Sequence, residues 1–239
     1  MSDYFIADLH LGPQRPHLTE HCLRFLSNQA LQAKRLFILG DFFEYWLGDD
    51  AIHPHYQPIV DSLHKLSTQG VKVFFMHGNR DFLVGKKFAE QCGITLLEDP
   101  CVLEIAGQTT LLSHGDIFCT DDLPYQQFRT MVHNPEWQKA FLSKSIEERM
   151  AYAEQARNRS RDATLQKSDD IMDVNQQAII TAMRKYGVTR LIHGHTHRPS
   201  QHDFKIDDRA CQRVVLADWG EHGHYLRCSD HHCVEELIC

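Results

Sequence analysis

The chain has 239 residues, of which 42% are hydrophobic, and this is enough for one large core of the kind that single α/β domains bury. Its net charge of -7 argues against a general nucleic-acid binder, because such proteins carry a basic face that neutralises phosphates. No apolar run approaches the roughly 20 residues that cross a bilayer, and no secretory leader precedes the first strand-like run. We expect one domain over residues 1–239, cytoplasmic or peripheral to a membrane.

The eight cysteines include no CxxC pair, and without a secretory context they are not expected to form a disulfide framework. We expect most of them to be reduced structural thiols. The tail from Cys228 to Cys233 contains His231 and His232 and leaves two alternatives open, a metal site or an exposed C-terminal hairpin. The hairpin is favoured, because zinc sites usually need paired ligand spacings that are missing here.

Five strand-like apolar runs end at residues of the types that bind metals. These runs are residues 4–7 before Asp8 and His10, 35–39 before Asp41, 71–76 before Asn79, 111–113 before His114, and 191–192 before His195 and His197. In open α/β sheets, ligands bind outside the carboxyl ends of the strands. The sequence therefore predicts that these side chains converge on one site.

Apolar residues at helical spacing connect the runs, over residues 18–33, 59–66, 82–91 and 172–183, which indicates β-α-β units with parallel strands. A hairpin is predicted over residues 101–113, and closing strands over 213–216 and 224–227. The loop 42–50 is rich in aromatic and acidic residues. Its aromatic side chains either cover the core or form a substrate wall, and the pattern does not decide between the two.

Residues 120–167 contain no strand-like run, only helical segments, and interrupt the alternation between two site strands. A helical insertion at this place is typical of an active-site lid, although its apolar stripe would also serve to complete the core. Residues 149–167 contain five cationic and two acidic side chains. The cationic residues are Arg149, Arg157, Arg159, Arg161 and Lys167. A cationic rim beside the apolar residues of 125–152 would attract anionic headgroups and admit acyl chains, unless the charges simply face water.

The candidate ligands are carboxylates, an amide oxygen and imidazoles, which suit hard to borderline divalent metals. Seven side chains are too many for one ion that keeps an open position, so we expect two ions that share a carboxylate. Two such ions favour hydrolysis of a phosphoester or phosphoanhydride by activated water. No nucleotide-binding glycine loop or serine nucleophile elbow competes with this interpretation.

These motifs resemble those of the calcineurin-like metallophosphoesterases, in order and over most of the chain. The motifs are Asp8-Leu9-His10, Gly40-Asp41, Gly78-Asn79-Arg80-Asp81, His114-Gly115-Asp116 and Gly194-His195-Thr196-His197. Within that superfamily the chain resembles the UDP-2,3-diacylglucosamine pyrophosphatases of lipid A biosynthesis. The residues that carry this closer resemblance are Gly78 to Leu83, Cys119 to Asp122, Ile171 to Gln176 and His193 to Pro199.

The resemblance implies an α/β fold, a four-layer αββα sandwich of two mixed sheets flanked by helices, with the helical insertion at about 120–167 as a lid. It implies a manganese pair bridged by Asp41. One ion would be held by Asp8, His10, Asp41 and His197, and the other by Asp41, Asn79, His114 and His195. The implied catalytic residues are Asp41, Arg80 and His195. The implied substrate contacts are Asn79, Arg80, Asp122, Ser160, Thr164, Lys167 and His195.

The implied reaction is hydrolysis of the pyrophosphate of UDP-2,3-diacylglucosamine to UMP and 2,3-diacylglucosamine 1-phosphate, at the cytoplasmic face of the inner membrane. The partners are then the lipid-linked substrate and an anionic membrane surface, with no nucleic acid and no obligate protein partner. A broader phosphodiesterase or nuclease and a binding scaffold are the alternatives.

Arg80 stands where many relatives carry a histidine that protonates an alkoxide. A phosphate leaves without an acid, so a permanent positive charge suits it better, unless Arg80 only pairs with an acid such as Asp81.

Overall fold

The computed structural model describes residues 2–166, 173–230 and 232–238, and over 159–166 it describes the backbone alone. Its strands are β1 Ser2–Ile6, β2 Ala33–Leu39, β3 Lys72–Met76, β4 Thr95–Leu97, β5 Cys101–Ile105, β6 Gln108–Ser113, β7 Arg190–His193, β8 Ser200–Ile206, β9 Arg209–Val215, β10 Gly223–Ser229 and β11 His232–Ile238. Its α-helices are α1 Pro16–Ser27, α2 Gln57–Thr68, α3 Lys86–Cys92, α4 Leu123–Val132, α5 Pro135–Leu142, α6 Ile146–Gln166 and α7 Gln176–Tyr186.

The strands form two mixed sheets. The first has the order β11-β10-β1-β2-β3-β4, in which β1 to β4 run parallel and β10 and β11 run antiparallel. The second has the order β5-β6-β7-β9-β8, with β6, β7 and β9 parallel and an antiparallel strand at each edge. The parallel pairing of β1 to β4, and that of β6 with β7, follow from the predicted β-α-β connections.

Alternation along the strands places three apolar layers around the sheets. In β2, Phe37 and Leu39 point into the core between the two sheets, whereas Leu36 and Ile38 point outward onto α1 and α2. The outer face of the second sheet packs against Ile179 and Met183 of α7. The result is the four-layer αββα sandwich that was predicted.

The predicted elements agree with the structure in type and differ at their ends. The helix predicted over residues 82–91 begins only at Lys86, because the chain first turns at Asp81, where the Val84 N–H bonds back to the Asp81 carbonyl. The short strand β4 and the edge strand β8 were not predicted. The last helix begins at Gln176, and Met172, which the apolar pattern included, lies outside the described residues.

The predicted C-terminal hairpin is confirmed as β10 and β11, and two of its cysteines are an exception to the expected reduced thiols. Cys228 and Cys233 face each other across the two strands, with their Cα atoms 4.1 Å apart, and form a disulfide. Strand register brings them together, and residue spacing along the chain could not show it. Cys22, Cys92, Cys101, Cys119 and Cys211 are free thiols, as expected.

None of the helices in the described part of the chain is long and apolar enough to cross a membrane.

Candidate metal centre

The candidate ligands lie in the loops that follow β1, β2 and β3 in one sheet and β6 and β7 in the other, so the five strand ends meet at one end of the sandwich. Five residues here take left-handed backbone conformations, with φ of 56° at Asp8, 49° at His10, 50° at Asp41, 71° at His195 and 53° at His197. Such conformations cost about 1–3 kcal/mol each and persist where the surrounding structure enforces them. Their concentration at one place marks a functional site.

Two glycines let the loops approach the carboxylates closely. A Cβ on Gly78 would lie 2.2 Å from Asp41 Oδ1, and a Cβ on Gly194 would lie 2.3 Å from Asp8 Oδ2. No side chain fits at such distances, so the glycines of these motifs are required by the packing of the site.

The first group of ligands consists of Asp8, His10 and His197, whose donor atoms all lie within 4.8 Å of one another. The two imidazoles meet with their Nε2 atoms 3.2 Å apart, and His197 Nε2 lies 3.5 Å from Asp8 Oδ1. Asp8 Oδ2 accepts the backbone N–H of His195 at 2.8 Å. Asp8 Oδ1 and His10 Nδ1 are buried and have no hydrogen-bond partner among the described residues, which is the condition expected of atoms that bind a cation.

The second group surrounds His114. Its Nδ1–H donates to the Leu39 carbonyl at 2.9 Å, which directs its Nε2 inward, where loss of the second proton would free a lone pair for a metal ion. His114 Nε2 lies 3.1 Å from Asn79 Oδ1 and 3.2 Å from His195 Nδ1. Donor atoms of Asp8, Asp41 and His114 also lie within 4.8 Å of one another.

Charge in this cluster is unbalanced. Burial raises the pKa of Asp41, and with Asp81 and Asp8 nearby it reaches about 7 despite the opposing charge of His114. Burial lowers the pKa of His114, but Asp41 and Asp8 outweigh it and raise that pKa to about 9. Burial also raises the pKa of Asp8, yet the nearby imidazole of His197 and the charge of His114 bring it down to about 2. The buried carboxylates thus need positive charge beside them, and divalent cations supply it.

Two acids that the sequence analysis did not single out lie beside ring nitrogens of His10 and His197. Glu44 Oε2 lies 3.6 Å from His10 Nδ1 and accepts from Arg15 at 3.2 Å. Asp218 Oδ2 lies 3.6 Å from His197 Nδ1. Carboxylates in these places orient ligand rings. The signal in the sequence was weak, since each is an isolated acid in a loop.

Asp81 holds two of the loops together. Its Oδ2 accepts the N–H groups of Phe42 and Phe43 at 2.8 and 3.2 Å, and its Oδ1 accepts that of Gly78 at 2.8 Å. No ion pair joins Asp81 to Arg80 among the described residues. The Arg80 backbone N–H donates to Asp41 Oδ1 at 2.8 Å, and Arg80 Nε is buried with no hydrogen-bond partner in the described part of the chain.

Of the remaining predicted substrate contacts, the structure describes the side chain of Asp122. Asp122 is the N-cap of α4, and its Oδ1 accepts the Tyr125 N–H at 3.2 Å. The side chains of Ser160 and Thr164, and the whole of Lys167, fall outside the described residues.

The insertion is helical, as predicted, but Arg149 does not belong to a cationic rim. It is 2% exposed, donates to the Leu47 carbonyl at 2.6 Å, and binds both oxygens of Asp50 at 2.8 and 2.6 Å. Arg157 lies 3.3 Å from Glu44 and over the Tyr45 ring. These contacts join α6 to the loop 42–50. Arg159 and Arg161 have side chains outside the described residues.

The aromatic residues of both segments largely complete the core. Phe42, Phe43 and Trp46 are buried in the cluster beneath α1 and α2. Trp137 and Phe141 of α5 pack on the same cluster, with their rings stacked at 5.0 Å. Among the described residues of the insertion, the large apolar side chains that are exposed are Leu123, Met131, Leu142 and Ile146.

The calcineurin-like phosphoesterase family model matches residues 4–199. The chain belongs to this family. A UDP-2,3-diacylglucosamine hydrolase of Stenotrophomonas maltophilia is 45% identical over 234 residues, which cover 95% of this chain and 94% of that protein. Another of Chromohalobacter salexigens is 47% identical over 219 residues, which cover 92% and 89%. The structure of an archaeal phosphodiesterase matches 100% of both chains, with a TM-score of 0.49 and 11% identity.

Proposed function

We propose that the protein hydrolyses the pyrophosphate bond of UDP-2,3-diacylglucosamine, releasing UMP and 2,3-diacylglucosamine 1-phosphate, in lipid A biosynthesis. The observation that carries this proposal is the cluster of Asp, His and Asn side chains at five strand ends, which suits hydrolysis at phosphorus. The substrate is taken from relatives of 45–47% identity that are named UDP-2,3-diacylglucosamine hydrolases.

In this proposal two divalent ions, most simply Mn²⁺, bind at the cluster with Asp41 between them. Asp8, His10 and His197 complete one site, and Asn79, His114 and His195 the other. The placement of Asp41 supports the bridge, since its Oδ2 lies 3.9 Å from His10 Nδ1 and its Oδ1 lies 3.8 Å from His114 Nε2. Bound divalent ions supply Lewis acidity toward phosphoryl oxygens and lower the pKa of water.

The protein's own groups position the substrate and balance its charge. The backbone N–H of Arg80 is fixed to Asp41 Oδ1, and the unpartnered Nε of its guanidinium offers a donor to a phosphate oxygen. It stays charged through the reaction, so it stabilises a departing phosphate without giving up a proton. His195 is fixed through its backbone N–H to Asp8, which keeps its ring beside His114. Asn79, Asp122, Ser160, Thr164 and Lys167 are the further substrate contacts in this proposal.

We further propose that the helices of residues 120–167 act as a lid that meets an anionic membrane surface at the cytoplasmic face of the inner membrane. The exposed Met131 and Ile146, at 40% and 44%, support an apolar face on this insertion. An acyl chain gains about 0.8 kcal/mol for each methylene that leaves water.

The direct test is release of UMP from UDP-2,3-diacylglucosamine by the metal-loaded protein. Bis-nitrophenyl phosphate and DNA serve as alternative substrates. UMP release that stops with a chelator and returns with Mn²⁺ is expected. Faster cleavage of DNA than of the lipid substrate would favour the nuclease alternative, and no cleavage of any of the three would favour a scaffold.

The lid is tested by Met131→Gln combined with Ile146→Gln. Turnover of the lipid substrate in vesicles should fall severalfold, because the apolar face that meets the acyl chains is lost. Cleavage of the nitrophenyl ester should be unchanged. Leu31→Gln is the matched control, since Leu31 is an equally exposed apolar residue outside the insertion, at 42%. Equal losses on both substrates would mean that the insertion is ordinary structure.

A further inference from the structure

A groove of about 230 Å³ lies beside the metal centre, on the far side of the loop that carries His195 and His197. The polar residues that line it are Asp173, Thr196, Arg198, Ser200, His202 and Arg213. Its base is the outer face of β9. Val214 and Leu216 point into the core between the sheets, so Arg213 points the opposite way and into the groove.

The floor of the groove holds an incompletely satisfied arginine. Arg213 is 6% exposed, and its Nη1 lies 3.4 Å from His193 Nε2, at the long limit for a hydrogen bond. Its Nε is buried and has no partner among the described residues, and Thr196 Oγ1, in a residue that also lines the groove, is in the same condition. Unpaired buried groups of this kind are costly and signal an absent water or ion.

The walls add further groups that can donate hydrogen bonds. Strand pairing places His202 directly opposite Arg213, and Arg198 stands at the rim. The acid that lines the groove within the described residues is Asp173, which lies 3.3 Å from Arg198 Nη1. Within the described residues, Asp173 thus pairs with Arg198, and Arg213 Nε and Thr196 Oγ1 have no acceptor.

We propose that this groove binds a tetrahedral oxyanion of the phosphate class, with Arg213 as its buried anchor and Thr196 as a hydroxyl donor. A guanidinium offers several N–H donors and no acceptor, which matches phosphate oxygens. The groove shares a loop with the metal centre and no side chain, because Thr196 turns away from it between His195 and His197. The inference goes beyond the proposed function and does not depend on the identity of its substrate.

Equilibrium dialysis of the metal-loaded, full-length protein against radiolabelled inorganic phosphate tests the site. Phosphate would also bind at the metal centre. The assay therefore uses the Asp41→Asn background, in which that centre is altered, to separate the two sites. In that background we expect one bound phosphate, and Arg213→Met should weaken it at least tenfold. Arg184→Met is the matched control, because Arg184 pairs with Asp207 on the surface, and it should change nothing.

Thr196→Val keeps the shape of the side chain and should weaken the affinity for phosphate severalfold. It therefore tests the site if the Arg213→Met protein does not fold. The proposal would be overturned if the Asp41→Asn protein bound no phosphate. It would also be overturned if adding Arg213→Met and adding Thr196→Val both left phosphate binding the same as in the Asp41→Asn protein. The source of the phosphate is read from competition. If the groove takes the phosphate of a nucleotide, UMP displaces the label more strongly than unlabelled inorganic phosphate does. Uridine, which has no phosphate, does not displace the label. UMP fails to compete if the groove takes free phosphate. This assay does not measure UMP release from the lipid substrate, so its outcome is independent of the proposed function.

Discussion

Replacing Asp81 by Asn tests whether one buried carboxylate fixes the loops of the metal centre. The side chain is fully buried and accepts the N–H groups of Phe42, Phe43 and Gly78. Asparagine has nearly the same shape but only one acceptor oxygen. If that oxygen stays on Phe42 and Phe43, the new NH₂ group faces the Gly78 N–H, and two donors are left opposed.

The cost follows from these contacts. A hydrogen bond to a charged group contributes about 1.5–3 kcal/mol, and a buried donor without a partner costs about 1–3 kcal/mol. We therefore expect Asp81→Asn to lower the free energy of unfolding by roughly 3–5 kcal/mol, a large part of the 5–15 kcal/mol typical of a domain.

Urea unfolding of the chelator-treated protein, followed by circular dichroism, measures this difference. Asp61→Asn is the control, because Asp61 is an exposed helix residue that accepts a hydrogen bond from the Gln57 side chain, and it should change stability by less than about 0.5 kcal/mol. Metal affinity should fall as well, since the Gly78 turn carries Asn79. A loss below about 1 kcal/mol for Asp81→Asn would refute the reasoning that these three bonds hold the loops.

Three further predictions concern other residues. Asp41→Asn should reduce hydrolysis about 10³-fold or more at saturating Mn²⁺ with the fold retained, and activity within tenfold of wild type would contradict a two-ion centre. Arg80→Ala should lower kcat steeply without a new basic limb in the pH profile, whereas a change in thermal stability alone would assign Arg80 a structural role. Burial, with the charge of Arg129, lowers the pKa of His133 to about 4, so the fold keeps this ring neutral while the unfolded chain protonates it. Wild type should thus lose stability relative to His133→Gln as the pH falls from about 6.5 to 4 in urea titrations, and a constant difference would exclude this.

The sequence by itself determined the chemistry of the site and most of the elements around it. Apolar periodicity and the residue at the end of each run are local properties, and Asp41, Asn79 and His114 each follow a buried strand that this pattern shows. Because parallel strands end at the same edge, the convergence of these residues followed from the β-α-β pattern.

Only the tertiary structure decided the contacts that depend on register and on long loops. Glu44 and Asp218 approach His10 and His197 from loops that the sequence places far apart. Arg149, which looked like a surface cation, is buried because α6 folds back over the loop 42–50, 99 residues away in sequence. Cys228 meets Cys233 because β10 and β11 pair in one register out of several. A residue type shows what a side chain can bind, but its partner is set by packing across the whole chain, which no local pattern contains.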